Sequence, residues 1–376
     1  MIRKGDVQWW ILEARKYPES ASIAIEFLAE RLAQLDAENE QLRNELLRLR
    51  QGTPTDASSG QVQALRQKVD KLEYLLKSQA ATEPTAVLFS EQLQSARIPL
   101  SEVQRSSRAG ERSLDSRAML ALRCLLAVRP HDELLLITNQ GRGTKQLVPD
   151  LPPLGEDGRW PNPPSPWLRE GERLCVAAAM TEPPRFWTIA TRKGYVQRFV
   201  RAAFEREMEG GEPLLQSLLH HDEASAVVDG DRGDVAVVTR WGYANRFSHR
   251  SIDVQGSLAI VLESGDEVVA AVSLPEDGEM LIVTAAGYAM RRHSEQLPAR
   301  ARPGGSGKRM IRARDVIAAF PYRPQDSLVF LTFGGRLVLV GAGSVALQDR
   351  VGQGELLCDL ERDPAVAVAL VPEGLL

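Results

Sequence analysis

One pattern, Thr-x-x-Gly-Tyr-x-x-Arg, occurs three times in this chain and constrains its fold more than any other feature. The copies are Thr191-Gly194-Tyr195-Arg198, Thr239-Gly242-Tyr243-Arg246 and Thr284-Gly287-Tyr288-Arg291. Each follows an apolar run: Phe186 to Ala190, Val235 to Val238, and Met280 to Val283. Two degenerate copies flank them, Thr138-Asn139-Gln140-Gly141 and Thr332-Phe333-Gly334-Gly335. From Thr to Thr the spacings are 53, 48, 45 and 48 residues. A recurring period of this size belongs to a solenoid, a propeller or another repeat array.

The physics of one copy is a β-hairpin. An apolar strand enters, Gly supplies positive φ in a tight turn, and a second strand leaves through Tyr. Side chains alternate along a strand, so the pattern predicts Tyr packed inward and the Arg three residues later facing solvent.

Six apolar opening strands accompany the five hairpins: Ala118 to Val128, Arg173 to Ala179, Ala224 to Val228, Glu267 to Ser273, Val316 to Phe320 and Pro364 to Val371. The sixth has no hairpin after it, which predicts a ring closed by pairing the last strand with the first blade. Residues 149–170 are rich in Pro and Trp and account for the long first spacing; they read as a surface loop of polyproline character.

The N-terminal third is different. Residues 1–22 predict a short amphipathic helix through Val7, Trp10, Ile11 and Ala14, ending before Pro18. Residues 23–51 predict a coiled coil. Ile25, Leu32, Asn39 and Leu46 take the a positions, and Leu28, Leu35, Leu42 and Leu49 the d positions. The g-to-e′ pairs Arg31–Asp36, Glu38–Arg43 and Glu45–Arg50 are all oppositely charged. A lone Asn at a with matched flanking charges is the pattern of a parallel homodimer. Residues 52–60 read as a flexible break, 61–79 as a second heptad helix, 80–117 as a linker and 118–376 as the repeat array.

Between Ile282 and Ala319 the sequence runs Ile-Val-Thr-Ala-Ala-Gly-Tyr-Ala-Met-Arg-Arg, then Arg302-Pro-Gly-Gly-Ser-Gly-Lys-Arg309, then Asp315-Val-Ile-Ala-Ala. This resembles the C-terminal repeats of DNA gyrase A and topoisomerase IV, and the likeness extends over about 118–372. The resemblance implies a mainly β fold, a five-bladed, propeller-like β-pinwheel, here preceded by α-helical coiled-coil segments. It also implies duplex DNA held on a basic outer rim and, as protein partner, a topoisomerase subunit. Two departures stand beside it. The family's cleavage domain with its catalytic Tyr has no counterpart among the six tyrosines here, so strand cleavage is not expected. The family's Gln-Arg-Arg-Gly-Gly-Lys-Gly loop has no faithful copy.

Charge decides where DNA could be held. The chain carries 46 basic and 50 acidic residues. Residues 1–110 hold 15 of each, so the whole acidic excess of −4 lies in the array. Within it, however, Arg291, Arg292, Arg300, Arg302, Lys308, Arg309, Arg312 and Arg314 face only Glu295 over one Gly-rich stretch. Such a stretch can follow phosphates without reading bases. A weaker cluster comprises Arg192, Lys193, Arg198 and Arg201, joined from the next unit by Arg240, Arg246 and Arg250.

Other chemistries find no set of residues. Asp229-Gly-Asp-Arg-Gly-Asp234 opens like a calcium loop but has Arg240 where the loop needs Glu. His220-His221 has no third ligand in sequence, and Gly304 to Lys308 lacks the remaining residues of a phosphate loop. The three cysteines, Cys124, Cys175 and Cys358, sit apart in apolar runs and read as core in a reducing compartment. No cofactor or metal is expected, and no apolar run approaches the roughly 20 residues of a membrane span. The sequence therefore predicts a cytoplasmic, non-catalytic, dimeric DNA-binding protein. A protein-interaction scaffold that kept the fold and lost the DNA rim is the alternative.

Overall fold

In the computed structural model, which describes residues 83–180, 184–215, 222–231, 233–253 and 255–376, each Thr-x-x-Gly copy is the turn of an antiparallel hairpin. The Thr does two things in every copy. Its carbonyl accepts from the Gly N–H, and its Oγ1 accepts from the N–H four residues on, as in Thr191 to Tyr195 (3.1 Å) and Thr239 to Tyr243 (3.2 Å). The Gly stands at positive φ, +80° at Gly242.

Six sheets form among the described residues, against the five blades that the pattern predicts. Blades 2 to 6 are built on the hairpins starting at Glu133, Phe186, Asp234, Glu279 and Ser327. Blade 1 is built on Thr85–Ser90 and Ser95–Pro99, inside the stretch that reads as linker. Its turn repeats the motif with other residues. Ser90 Oγ accepts the Gln94 N–H (3.0 Å) as Thr does elsewhere, and Leu93 takes the glycine place at φ 57°. Ser for Thr and Leu for Gly hide this copy from the pattern.

The opening strands also belong elsewhere than expected. Each pairs with the hairpin before it: Leu122–Val128 with Thr85–Ser90, Leu174–Met180 with Glu133–Thr138, and so on to Ala365–Val371 with Ser327–Thr332. All six pairings slip by one residue at the turn Thr, or at Ser90 in blade 1. The last strand therefore pairs within its own blade and only packs beside Leu122–Val128. These six strands line a central channel of about 780 Å³.

The ring is held by burial between blades. The middle strand of each is apolar on both faces, because each face meets a neighbouring blade. Ala236 and Val238 enter one core, with Met280 and Ile282 of blade 5; Val235 and Val237 enter another, with Ala190 and Val196 of blade 3. Six such clusters follow one another round the ring, and the last joins Val329 and Leu331 of blade 6 to Ala86 and Leu88 of blade 1.

A second device sews the blades together. After each hairpin the chain reaches back over the preceding blade before it forms its own inner strand. Ser257–Leu258 pairs with blade 3, Lys308–Arg309 with blade 4 and Glu355–Leu356 with blade 5. The returning N–H groups of Met310 and Ile311 both point at the Gly242 carbonyl. The circle closes the same way: Ser113 and Leu114 N–H donate to the Gly335 carbonyl, and Arg112 bridges Arg336.

Where the returning segment forms no strand, other elements cover the sheet edge, which would otherwise offer unpaired backbone groups. Helix α1 (Leu100–Ala109) lies on blade 6, where its Ser107 Oγ accepts the Leu339 N–H. Between it and the inner strand of blade 1 lies α2 (Ser116–Ala121), capped by Asp115. Helix α3 (Arg201–Gly210) flanks blade 2, its Glu205 bonded to Lys145. On blade 1 the cover is the Pro- and Trp-rich insertion. It is a structural segment rather than a free surface loop: Leu151 is buried, Ser165 N–H donates to the Gln92 carbonyl, and Trp167 lies under Arg142 at 4.3 Å.

The segments expected at 1–22, 23–51, 52–60 and 61–79, the heptad residues Ile25 to Leu49, and His220-His221 lie outside the described residues.

Candidate nucleic-acid interface

The stretch with the greatest basic excess is the segment that returns from blade 5 to blade 4. It leaves the hairpin at the 3-10 turn Ser294–Gln296, is pinned by buried Leu297, and runs along the outer edge of blade 4. Arg300 N–H donates to the Arg246 carbonyl (2.7 Å), and Ser306 bridges Val261 on the return segment of blade 3. Lys308–Arg309 then forms the fourth strand. Its glycines allow close approach: a Cβ at Gly307 would stand 2.6 Å from Ile260 and 2.9 Å from the Ala244 carbonyl.

This path sorts the eight basic residues into two groups. Arg300, Arg302, Lys308, Arg312 and Arg314 are exposed. Arg314 is held over the Trp241 ring (4.7 Å), Lys308 Nζ donates to the Gln296 carbonyl, and Arg300 Nη2 donates to the Ser306 carbonyl. Arg309 is half-buried over Tyr243. Arg291 and Arg292 are tied into the fold. Arg291 pairs with Glu279 (2.8 Å) against the Tyr322 ring. Arg292 is buried, donating to the carbonyls of Met310 and Gln348, so it fastens two return segments.

The repeat Arg therefore differs from the outward residue that alternation predicts. Its long side chain folds back across its own hairpin. Arg246 is buried, paired with Asp234 (2.8 Å), and donates to the carbonyls of Ser294 and Glu276. Arg198 stacks on Phe186 and donates to the Gly230 carbonyl. The repeat tyrosines Tyr195, Tyr243 and Tyr288 are half-buried rather than core.

Arg192 and Arg240 belong to a chain of ion pairs at the turn end of the central channel. Glu91 contacts Arg173 (3.7 Å), Arg173 contacts Glu223 (2.7 Å), Arg192 spans Glu223 and Glu267, and Arg240 reaches Glu267 (3.2 Å). Burial pushes the Glu223 carboxyl up, but the Cys175 thiol and the two guanidiniums outweigh it and hold it at about 2. Burial and that same carboxylate push the Cys175 thiol up to about 12, so it is a proton donor and not a nucleophile. Lys193 is exposed beside this chain, its backbone N–H on Asp222.

What remains for a ligand on the rim is a row of exposed cations on one glycine-rich segment that spans the edges of two blades. No base-reading element accompanies it among the described residues, and the cations are spaced along backbone rather than gathered in a pocket. Such a row suits an extended polyanion.

Residues 278–315, which contain this segment, match the family model described as the DNA gyrase C-terminal domain, beta-propeller. The chain is 27% identical over 257 residues to the DNA gyrase A protein of Deinococcus deserti, covering 63% of this chain and 31% of that protein. It is 24% identical over 254 residues to the DNA gyrase A protein of Mycobacterium leprae, covering 64% of this chain and 20% of that protein. The chain thus spans less than a third of the length of these curated relatives. A solved structure of the DNA gyrase A C-terminal domain superposes with a TM-score of 0.62 at 19% identity, covering 77% of this chain and all of that one. Repeat, blade and ring together give the described residues the fold of the DNA gyrase A C-terminal domain, a β-pinwheel.

Proposed function

We propose that this chain is a non-catalytic, cytoplasmic protein whose pinwheel binds or bends duplex DNA without reading its sequence, acting beside a topoisomerase or in chromosome organisation. The observation that carries the reading is the exposed row Arg300, Arg302, Lys308, Arg312 and Arg314, set on the segment that matches the gyrase C-terminal family. Half-buried Arg309 lies within the same segment, and Arg246 and Arg292 anchor it through the carbonyls of Ser294 and Met310. Residues 23–51 supply the second half of the proposal, a parallel dimer that places two pinwheels on one DNA.

Phosphate contacts make affinity fall steeply with salt, with a slope of log K against log salt of about −0.9 per phosphate neutralised. Replacing Arg300, Arg302, Lys308 and Arg312 together by Ala should therefore reduce the slope magnitude by roughly 3–4 units. A salt series of duplex binding, wild type against this variant, is the measurement. Absence of wild-type duplex binding at about 50 mM salt, where electrostatic attachment is least screened, would rule the reading out. In that event the acidic excess of the array, together with exposed Leu120 and Phe333, favours the scaffold reading.

A further inference from the structure

The repeated basic position can be compared with itself round the ring. Lys145, Arg198, Arg246 and Arg291 occupy it in blades 2 to 5, each opposite the middle strand of its hairpin. In three of them the first residue of that middle strand is an acid that takes the charge: Glu133 for Lys145 (3.2 Å), Asp234 for Arg246 (2.8 Å) and Glu279 for Arg291 (2.8 Å). In blade 3 the same place is Phe186. The Arg198 guanidinium carbon lies over that ring, 3.8 Å from its centre, with Nε and Nη2 donating to the Gly230 carbonyl. The stack and the carbonyl fix the guanidinium without neutralising it.

Two more guanidiniums come to the same place. Arg185 precedes the middle strand, and Arg250 arrives from the 3-10 turn that follows the hairpin of blade 4. With Phe186, Arg198 and Asp231 they line a cavity of about 450 Å³. Against three guanidiniums the lining has one carboxylate, Asp231, whose two oxygens accept the backbone N–H groups of Arg185 and Phe186 (3.0 and 2.7 Å). Burial draws the Arg198 pKa down; Asp231 opposes this and Arg250 adds to it, as expected where cations converge on too few anions.

The geometry points to a phosphate-binding pocket between blades 3 and 4, in which Arg185, Arg198 and Arg250 hold a phosphate group over the space that a carboxylate fills in the sister hairpins. Guanidinium is the side chain best suited to phosphate oxygens, which it meets with paired N–H donors. The group can belong to a free phosphate compound or to a polynucleotide backbone. The pocket does not depend on the DNA reading of the rim, because it shares no residue with the exposed row.

The test uses the full chain and calorimetric titration with inorganic pyrophosphate at constant ionic strength. Phe186→Glu restores the acid of the sister hairpins, so it should pair with Arg198, keep the fold and close the pocket. Arg250→Gln removes one wall. Each should weaken pyrophosphate binding by roughly ten- to a hundredfold, the loss of one charge-assisted contact. Duplex binding measured on the same proteins tells the sources apart. A parallel fall in Phe186→Glu assigns the pocket to the polynucleotide backbone, and unchanged duplex binding assigns it to a free phosphate compound. Pyrophosphate binding without any duplex binding retires the DNA reading and leaves the pocket standing. The proposal is overturned if the wild type binds no pyrophosphate and Phe186→Glu leaves duplex affinity unchanged. It is also overturned if Phe186→Glu or Arg250→Gln binds pyrophosphate as the wild type does.

Discussion

His249 shows how one buried side chain sets a pH limit on this ring. It is 1% exposed, with Nδ1 on Thr188 Oγ1 (2.9 Å) and Nε2 on Ser273 Oγ (3.3 Å), so it joins two blades. Burial, then Arg198, lower its pKa to about 4 against the weaker pull of Asp234 and Asp231. The unfolded chain takes up that proton near pH 6.5, and the native one only near 4. As pH falls between these values the unfolded state binds the proton and the native state refuses it, so stability drops by up to about 3 kcal/mol. His249→Gln should flatten that part of the profile, read as urea midpoint against pH. The repeat Gly sets a second constraint of the same size. At Gly242 a Cβ would sit at φ +80° and 2.5 Å from the Ile311 carbonyl oxygen, on the path of the returning segment. Gly242→Val should cost at least about 2 kcal/mol and lower Tm accordingly. The need for Gly at this turn is legible in the pattern. The fold-back of the Arg is not, because alternation gives the direction of a Cβ and not the path of a long side chain to an acid twelve residues upstream, as in Arg246 to Asp234.

Among the elements, the return segments explain both the legible and the hidden parts of the fold. The strands are readable because the middle strand of each blade is buried on two faces and gives a continuous apolar run, as at Val235 to Val238. Their assignment to blades is not readable, because each inner strand lies beyond a loop that visits another blade first. Blade 1 is hidden for a more local reason. Its turn replaces Thr and Gly by Ser90 and Leu93, and it keeps the hydroxyl-to-backbone bond and the positive φ without the residues that signal them. In the same way the residues of the phosphate pocket look, in sequence, like one more cluster of arginines, since only the structure shows that the residue five before the repeat Thr, Phe186 here and an acid in three sister hairpins, meets the repeated basic residue. The closing segment is the element whose removal should matter most. Leu114 is 1% exposed in the core shared by blades 6 and 1, next to the N–H groups that hold Gly335. Leu114→Ala should destabilise by about 2–4 kcal/mol in equilibrium unfolding. A loss below about 1 kcal/mol would show that the closure contributes little.

For the whole molecule, charge and assembly are the open quantities. The array is acidic in sum, so attraction to DNA rests on one stretch of rim and must be strongly salt-dependent, as the slope experiment measures. Dimerisation through residues 23–51 would double that stretch on one particle. Sedimentation of the full chain should give a dimer, and Asn39→Leu should raise thermal stability while relaxing the choice of oligomer, as loss of a lone polar a residue does. A monomer at tens of micromolar, an order-of-magnitude threshold for a useful coiled coil, would remove the two-pinwheel arrangement. The closed exchange has a further consequence. An open stack of repeats has a first and a last member, each needing a special cap. Here blade 1 covers blade 6 as every other blade covers its predecessor, and Leu375 packs in the same core as Ala86. The ends of the array are then only the place where a circle happens to be cut. A circular permutant that joins residue 376 to residue 83 through a short linker and opens the chain at Pro275–Gly278 would keep the pairing of every return segment, at the cost of the bonds that Arg246 and Ser294 make to the Glu276 carbonyl, and it should fold to the same wheel.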